Sequence, residues 1–414
     1  MQLFARGIES EVRDILSVSR AAAITGPRQA GKSTLARQLE QAGIVPNYFS
    51  LDDEATRTAA LADPDGFALS LPRPAVIDEL QRAPDLLLAI KQILDHDRRP
   101  GQFLLTGSAD LLTARVVADA LPGRVEYVNL WPLAQAEVTG RLASVIDALL
   151  AGVPPQVVGA PKGRAGTAEV VVTGGFPDVL RRSARQRTRY FRSYVQTVLG
   201  RDLPDIGQVR IDRTKLEQLL RLLAARTSGM ANYSALGREL ALDDKTVKAQ
   251  IELLRQLFLV YRLPPWSVNL GARQVKTPKL LLADSGMAAA LVGADAARYA
   301  APDQGGLAGM LLETFVVMEL VKQATWSATA VGLYFYRDTE KREVDVVIES
   351  AAGDVAAIEV KAAAGVTSSD IRGLELLRRK LGARFKAGIV VYSGEHTLPM
   401  ADRIWAVPLA GLWQ

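Results

Sequence analysis

The run Gly26-Pro27-Arg28-Gln29-Ala30-Gly31-Lys32-Ser33, followed by Thr34, has the G-x-x-x-x-G-K-[ST] spacing of a phosphate-binding loop. Such a loop works only between a buried strand and the N-terminus of a helix, so it constrains the fold as well as the ligand. Both neighbours are present: Ala21 to Thr25 suits a buried strand, and Ser33 to Leu39 suits a helix. In this arrangement the glycines let backbone N–H groups turn toward phosphate oxygens, Lys32 reaches the outer phosphates, and the Ser33 hydroxyl ligates Mg²⁺. A nucleoside triphosphate held by residues 26–34, with Mg²⁺, is the expected ligand.

Short apolar runs recur downstream at 48–51, 74–77, 102–105 and 125–128, separated by amphipathic stretches. Strand and helix alternate, which predicts an α/β unit with a doubly wound parallel sheet. The run ending at Ile77 delivers Asp78 and Glu79, a Walker B arrangement in which Asp78 holds Mg²⁺ through water and Glu79 polarises the attacking water. A polar side chain in Thr106-Gly107-Ser108, at the next strand tip, is placed to touch the γ-phosphate and that water. Gly123-Arg124 starts the following strand, and an arginine supplied across a subunit boundary stabilises charge in phosphoryl transfer. An arginine beside a glycine turn is equally an ordinary surface residue or carboxylate partner.

With 414 residues the chain has room for two or three domains. It has no cysteine and only His96 and His396, so a thiolate or histidine-rich metal site is excluded and any metal sits on oxygen ligands, which favours Mg²⁺ or Mn²⁺. Glu9, Glu11 and Asp14 break the layout of a signal peptide, and the sequence suggests no uncharged stretch long enough to span a bilayer, so a cytoplasmic chain without membrane contact is expected. A net charge of +5 permits nucleic-acid binding without requiring it.

Taken together, Gly26 to Ser33, Val76 to Gln81, Thr106-Gly107-Ser108, Gly123-Arg124 and Gly174-Gly175-Phe176-Pro177 resemble a family of predicted bacterial and archaeal AAA-type ATPases with a C-terminal domain of uncharacterised function. The resemblance covers nearly the whole chain. It implies ATP as the nucleotide, Ser108 as the sensor, Arg124 as an arginine finger and hence a homo-oligomer, with an ATPase domain at 1–200, a winged-helix-like domain at 201–268 and a C-terminal domain at 269–414. Gly174 to Pro177 reads only as a tight turn.

Residues 151–167 are rich in Gly, Pro and Ala and read as a loop or insertion. An arginine-dense stretch follows, from Arg181 to Arg192, with Tyr190, Phe191 and Tyr194 interleaved; a helix whose tyrosines pack inward is favoured over a nucleic-acid surface. Three close helical patterns, 216–227, 232–240 and 245–258, suggest a winged helix-turn-helix that would offer Lys245, Thr246, Lys248 and Gln250 to DNA, although Asp243 and Asp244 at that helix tip would repel phosphate.

Near the C-terminus, the strand pattern 343–348 carries Asp345, and 356–361 carries Glu359 and Lys361 on one face. With Glu313 on the preceding helix, this set resembles the PD-(D/E)XK nuclease fold, a restriction-endonuclease-like α/β domain. That resemblance makes Asp345, Glu359 and Glu313 metal ligands and Lys361 the residue that positions water. The leading expectation is an ATPase whose nucleotide state controls a Mg²⁺-dependent nuclease-like module acting on DNA. The alternative is an ATP-dependent switch or scaffold that binds protein or DNA without cleaving.

Overall fold

A computed structural model of the chain describes residues 3–107, 123–157, 160, 163–201, 212–267 and 277–414. The phosphate-loop unit is built on five parallel strands: β1 (Ala21–Thr25), β2 (Asn47–Ser50), β3 (Ala75–Asp78), β4 (Phe103–Thr106) and β5 (Val125–Asn129). Their order is β2-β3-β4-β1-β5, the doubly wound sheet expected from the alternating runs. Every residue of β1 is buried because both faces are covered. Ala22 and Ile24 pack with Val76 and Leu104 beneath helices Glu9–Val18 and Lys32–Gln41, while Ala21 and Ala23 pack with Ile77 and Leu105 beneath Leu86–His96. Two covered faces explain a continuous apolar run in place of an alternating one.

The middle of the chain forms helices Arg213–Ala225, Tyr233–Leu240 and Asp244–Gln256, and the side chains of Asp212, Asn232 and Asp243 cap their N-termini. Strands β6 (Gly229–Met230), β7 (Val260–Leu263) and β8 (Lys279–Leu282) form an antiparallel sheet in the order β6-β8-β7. The boundary expected at 268 therefore falls between two paired strands, and β8 completes the middle sheet. The boundary expected at 200 is likewise bridged: one hydrophobic core runs from Trp131 through Phe191 and Leu254 to Leu412.

The C-terminal sheet contains β9 (Val331–Arg337), β10 (Glu343–Ser350), β11 (Val355–Lys361), β12 (Phe385–Tyr392), β13 (Leu398–Ala401) and β14 (Ile404–Pro408), in the order β13-β14-β12-β11-β10-β9. The first three strands form an antiparallel meander, and β12 and β14 run parallel to β11. Val346, Ile348 and Ile358 face the core shared with helix Gly305–Gln323, whereas Val344, Val347 and Ala357 face helix Arg372–Leu381.

One expectation needs correction. Residues 151–167 are not loop throughout, because helix Gly163–Thr173 begins inside them and buries Thr167, Ala168 and Val171; the glycines at 163 and 166 hid it. Among the described residues, the segment Pro302–Gln323, which contains helix Gly305–Gln323, is long and apolar enough to cross a membrane by length and composition, but it carries Glu313, Glu319 and Lys322 and 61% of its apolar stretch is buried inside the protein, so the expectation of no uncharged spanning stretch stands.

Candidate functional site

The loop from Gly26 to Ser33 leaves the end of β1 and enters helix Lys32–Gln41 with Gly31 at φ 103°. Gly26, at φ 145°, passes so close to the Leu130 carbonyl that no side chain fits there. Lys32 is buried and its ammonium donates to the carbonyl oxygens of Gly26 (3.0 Å) and Pro27 (2.9 Å), within the loop's own hollow. The Ser33 hydroxyl donates to Asp78 Oδ1 at 3.0 Å, so the residues expected to share Mg²⁺ already meet. These residues fit a nucleotide phosphate chain with its cation.

Asp78 is held by three hydroxyls. Tyr48 donates to Oδ2 at 2.6 Å, and Thr106 shares Oδ1 with Ser33. Burial, then the hydrogen bond to Asp78, pushes the Tyr48 phenol well above its ordinary pKa. Thr106, at the tip of the strand between β1 and β3, also accepts from the Glu79 backbone N–H at 3.2 Å. Of the expected strand-tip triplet, Thr106 makes these contacts; Ser108 lies outside the described residues. Glu79 has a left-handed backbone (φ 61°, ψ 42°), a conformation costing a non-glycine residue about 1 kcal/mol or more. Glu79 lines the cavity over the loop, and its carboxylate accepts from Gln81.

That cavity, about 530 Å³, is roofed by residues for which the sequence suggested no nucleotide role. Tyr190 and Tyr194 of helix Ala184–Arg201 stack at 6.1 Å, and their hydroxyls donate to the Gln29 side chain (2.6 Å) and the Arg28 carbonyl (3.4 Å). The inward packing expected of these tyrosines is present, and it is directed at the loop. Arg187, buried on the same helix, pairs with Glu169 at 2.7 Å. Pro177 and Asp178 complete the wall.

The turn before Pro177 now has a physical account. A side chain at Gly174 would collide with the Asp284 carboxylate, and one at Gly175 with the Leu133 carbonyl and the Lys322 ammonium. Gly175 N–H donates to Asp284 at 2.8 Å, and Leu133 N–H donates to the Gly175 carbonyl at 2.7 Å. Lys322 joins the set through Glu319 (2.8 Å) and the Leu133 carbonyl (3.0 Å). Burial raises the pKa of both Asp284 and Glu319, with Lys322 opposing it. Below the loop, Arg6 donates to Glu137 (2.9 Å) and to the carbonyls of Ala30 (2.7 Å) and Trp131 (2.7 Å). Neither cluster has a local sequence signature.

Arg124 lies at the start of β5, beside Ala21, a strand length of roughly 15 Å from its own loop, and pairs with Asp95 at 3.0 Å. Within the chain it reaches a carboxylate, not the phosphates. On the middle unit, Lys245 and Lys248 are exposed, but the Thr246 hydroxyl is taken by Asp243 (2.6 Å) and Gln250 is only 8% exposed, so Gln250 is withdrawn from the expected DNA face.

The C-terminal set is brought together, but not as metal ligands. Asp345 on β10 accepts from Val360 N–H of β11 at 2.9 Å, Glu359 pairs with Lys361 at 2.9 Å, and Glu313 approaches from helix Gly305–Gln323. Lys279 of β8 enters among them, with its ammonium 2.6 Å from Glu313, 2.5 Å from Glu343 and 3.3 Å from Asp345. Among the described residues no three carboxylates or imidazoles stand in a metal-holding arrangement. As arranged, Glu313, Asp345 and Glu359 do not fit a divalent ion. Lys279 was missed because β8 lies far from the motif in sequence.

Residues 18–139 match a family model described as an AAA domain; residues 164–298 and 308–412 match two models described as domains of unknown function, DUF8612 and DUF4143. The first unit is thus an AAA-type ATPase domain. Uncharacterised proteins of Mycobacterium tuberculosis and Mycobacterium bovis are each 28% identical over 99% of this chain and 84% of theirs. Among solved structures, AMPPCP-bound DnaA from Aquifex aeolicus is 14% identical at a TM-score of 0.28 (60% of this chain, 86% of that one), and Pif1 helicase from Candida albicans is 14% identical at 0.25 (50% and 56%).

Proposed function

We propose that this chain is an ATP-hydrolysing switch in which nucleotide occupancy at the phosphate loop is relayed to the C-terminal unit. Residues 26–34 hold ATP, Ser33 and Asp78 hold Mg²⁺, Glu79 orients the attacking water, and Thr106 fixes Asp78 and Glu79 relative to each other. Mg²⁺ neutralises charge on the phosphates when bound. The observation that carries the relay is the segment from Gly174 to Asp178: Pro177 and Asp178 wall the cavity while Gly174 and Gly175 are wedged between Asp284 and Leu133. A change at one end of so short and tightly packed a segment reaches the other. ATP turnover with Mg²⁺ tests the site: Lys32→Ala is expected to abolish it, and Glu79→Gln to bind ATP without hydrolysing it. Normal hydrolysis by Lys32→Ala would remove the basis of the proposal.

A second reading, DNA cleavage by the C-terminal unit, is supported by the meeting of Glu313, Asp345, Glu359 and Lys361, and by a middle unit of three helices and a three-stranded sheet that suits a winged helix. Lys279 weighs against it. Incubating supercoiled and single-stranded DNA with Mg²⁺ or Mn²⁺, with and without ATP, separates the readings. Cutting that Lys361→Ala loses would establish a nuclease; intact DNA beside intact ATPase activity would leave the non-cleaving switch.

A further inference from the structure

We propose that the carboxylate basin between helix Gly305–Gln323, β10 and β11 carries its own resident cation, the Lys279 ammonium delivered from β8, which stands in place of a divalent metal. An ammonium has three N–H donors, and three carboxylates surround this one: Glu313, Glu343 and Asp345. Other oxygens of the cluster are engaged too. Asp345 Oδ2 takes the Val360 N–H at 2.9 Å, Glu343 Oε2 faces Arg337 at 3.4 Å, and Glu359 is occupied by Lys361. A metal ion bound to the same oxygens would lie against a fixed positive charge in a buried setting that screens the repulsion weakly.

The surroundings show why the lysine is there. Lys279 is 2% exposed and opens a strand whose other members, Leu280, Leu281 and Leu282, are all buried, so its charge is tolerated only where carboxylates meet it. Burial lowers its pKa, but Asp345, Glu313 and Glu343 together outweigh burial and keep it protonated. The Phe335 ring lies 5.4 Å from the ammonium, closing another side with a face that also favours a cation. Because β8 belongs to the middle sheet and the carboxylates to the C-terminal unit, the same cluster fastens one to the other. None of this depends on ATP turnover.

The test is Mn²⁺ binding to the full chain, followed by loss of the free-ion paramagnetic resonance signal, without nucleotide and in a Lys32→Ala background. The Lys32→Ala chain is expected to bind no Mn²⁺ that a further Asp345→Asn change removes. Adding Lys279→Met should create a site holding a Mn²⁺ ion per chain, abolished by Asp345→Asn, and should make the Tm rise with added Mn²⁺. Lys279→Arg, which keeps the charge, should create none. Asp345-dependent Mn²⁺ binding with Lys279 intact would overturn the proposal, as would a folded Lys279→Met chain that gains no site. Should Lys279→Met fail to fold, the effect of Asp345→Asn in chains that retain Lys279 still decides it.

Discussion

Glu359 and Glu313 are carboxyls that burial first and the nearby Asp345 charge second push up to about 8 and about 7, against Lys361 and Lys279. A carboxyl raised on folding keeps its proton at pH values where the unfolded chain has released it. From about pH 4.5 upward through these values the folded state therefore binds more protons, and stability falls as pH rises. Thermal melts from about pH 5 to about pH 8 should show a declining Tm, and Glu359→Gln, neutral throughout, should flatten the upper part of that decline. A Tm that climbed across this window would contradict the burial of these charges. Asp345, Glu359 and Lys361 were readable from residue type and strand spacing, and Glu313 through the resemblance those three carry. Lys279 and Arg6 were not, since their partners stand 24 to 131 residues away and only folding defines the pairs.

At the scale of elements, two glycine positions make opposite predictions. Gly175→Ala drives a methyl group into the Leu133 carbonyl and the Lys322 ammonium, and should cost about 1–3 kcal/mol, measured by denaturant unfolding. Gly200, in helix Ala184–Arg201, has open space around its missing Cβ, so Gly200→Ala should stabilise by about 0.5–1 kcal/mol. A Gly175→Ala chain as stable as the parent or more so would contradict the wedging of the Gly174–Gly175 turn. The central strands β1, β3 and β4 of the first sheet were visible in the sequence because both of their faces are buried, leaving short unbroken apolar runs bounded by polar turns. The middle sheet was harder to see: β6 has two residues, and β8 joins it from beyond the expected boundary, so neither its length nor its position marks it.

At the scale of the whole molecule, Arg124 pairs with Asp95 at the far end of β5 from its own phosphate loop, so a part for it in turnover requires a neighbouring chain's nucleotide. If it acts on a neighbour's nucleotide, Arg124→Ala and Lys32→Ala chains should each be nearly silent alone, with turnover down roughly a thousandfold, and mixing them should restore activity. That follows because a mixed interface joins an intact loop to an intact arginine. Full activity of Arg124→Ala alone would leave the arginine a structural partner of Asp95 without a part in turnover.

Arg6 carries a practical lesson about dissecting this chain. The AAA domain match spans 18–139, and an investigator cutting there would retain Glu137 while discarding the guanidinium that neutralises it and ties down Ala30 and Trp131. Such a fragment would hold a buried carboxylate without its counter-ion and a phosphate loop without its brace. Weak nucleotide affinity in that excised piece would report the surgery rather than the enzyme.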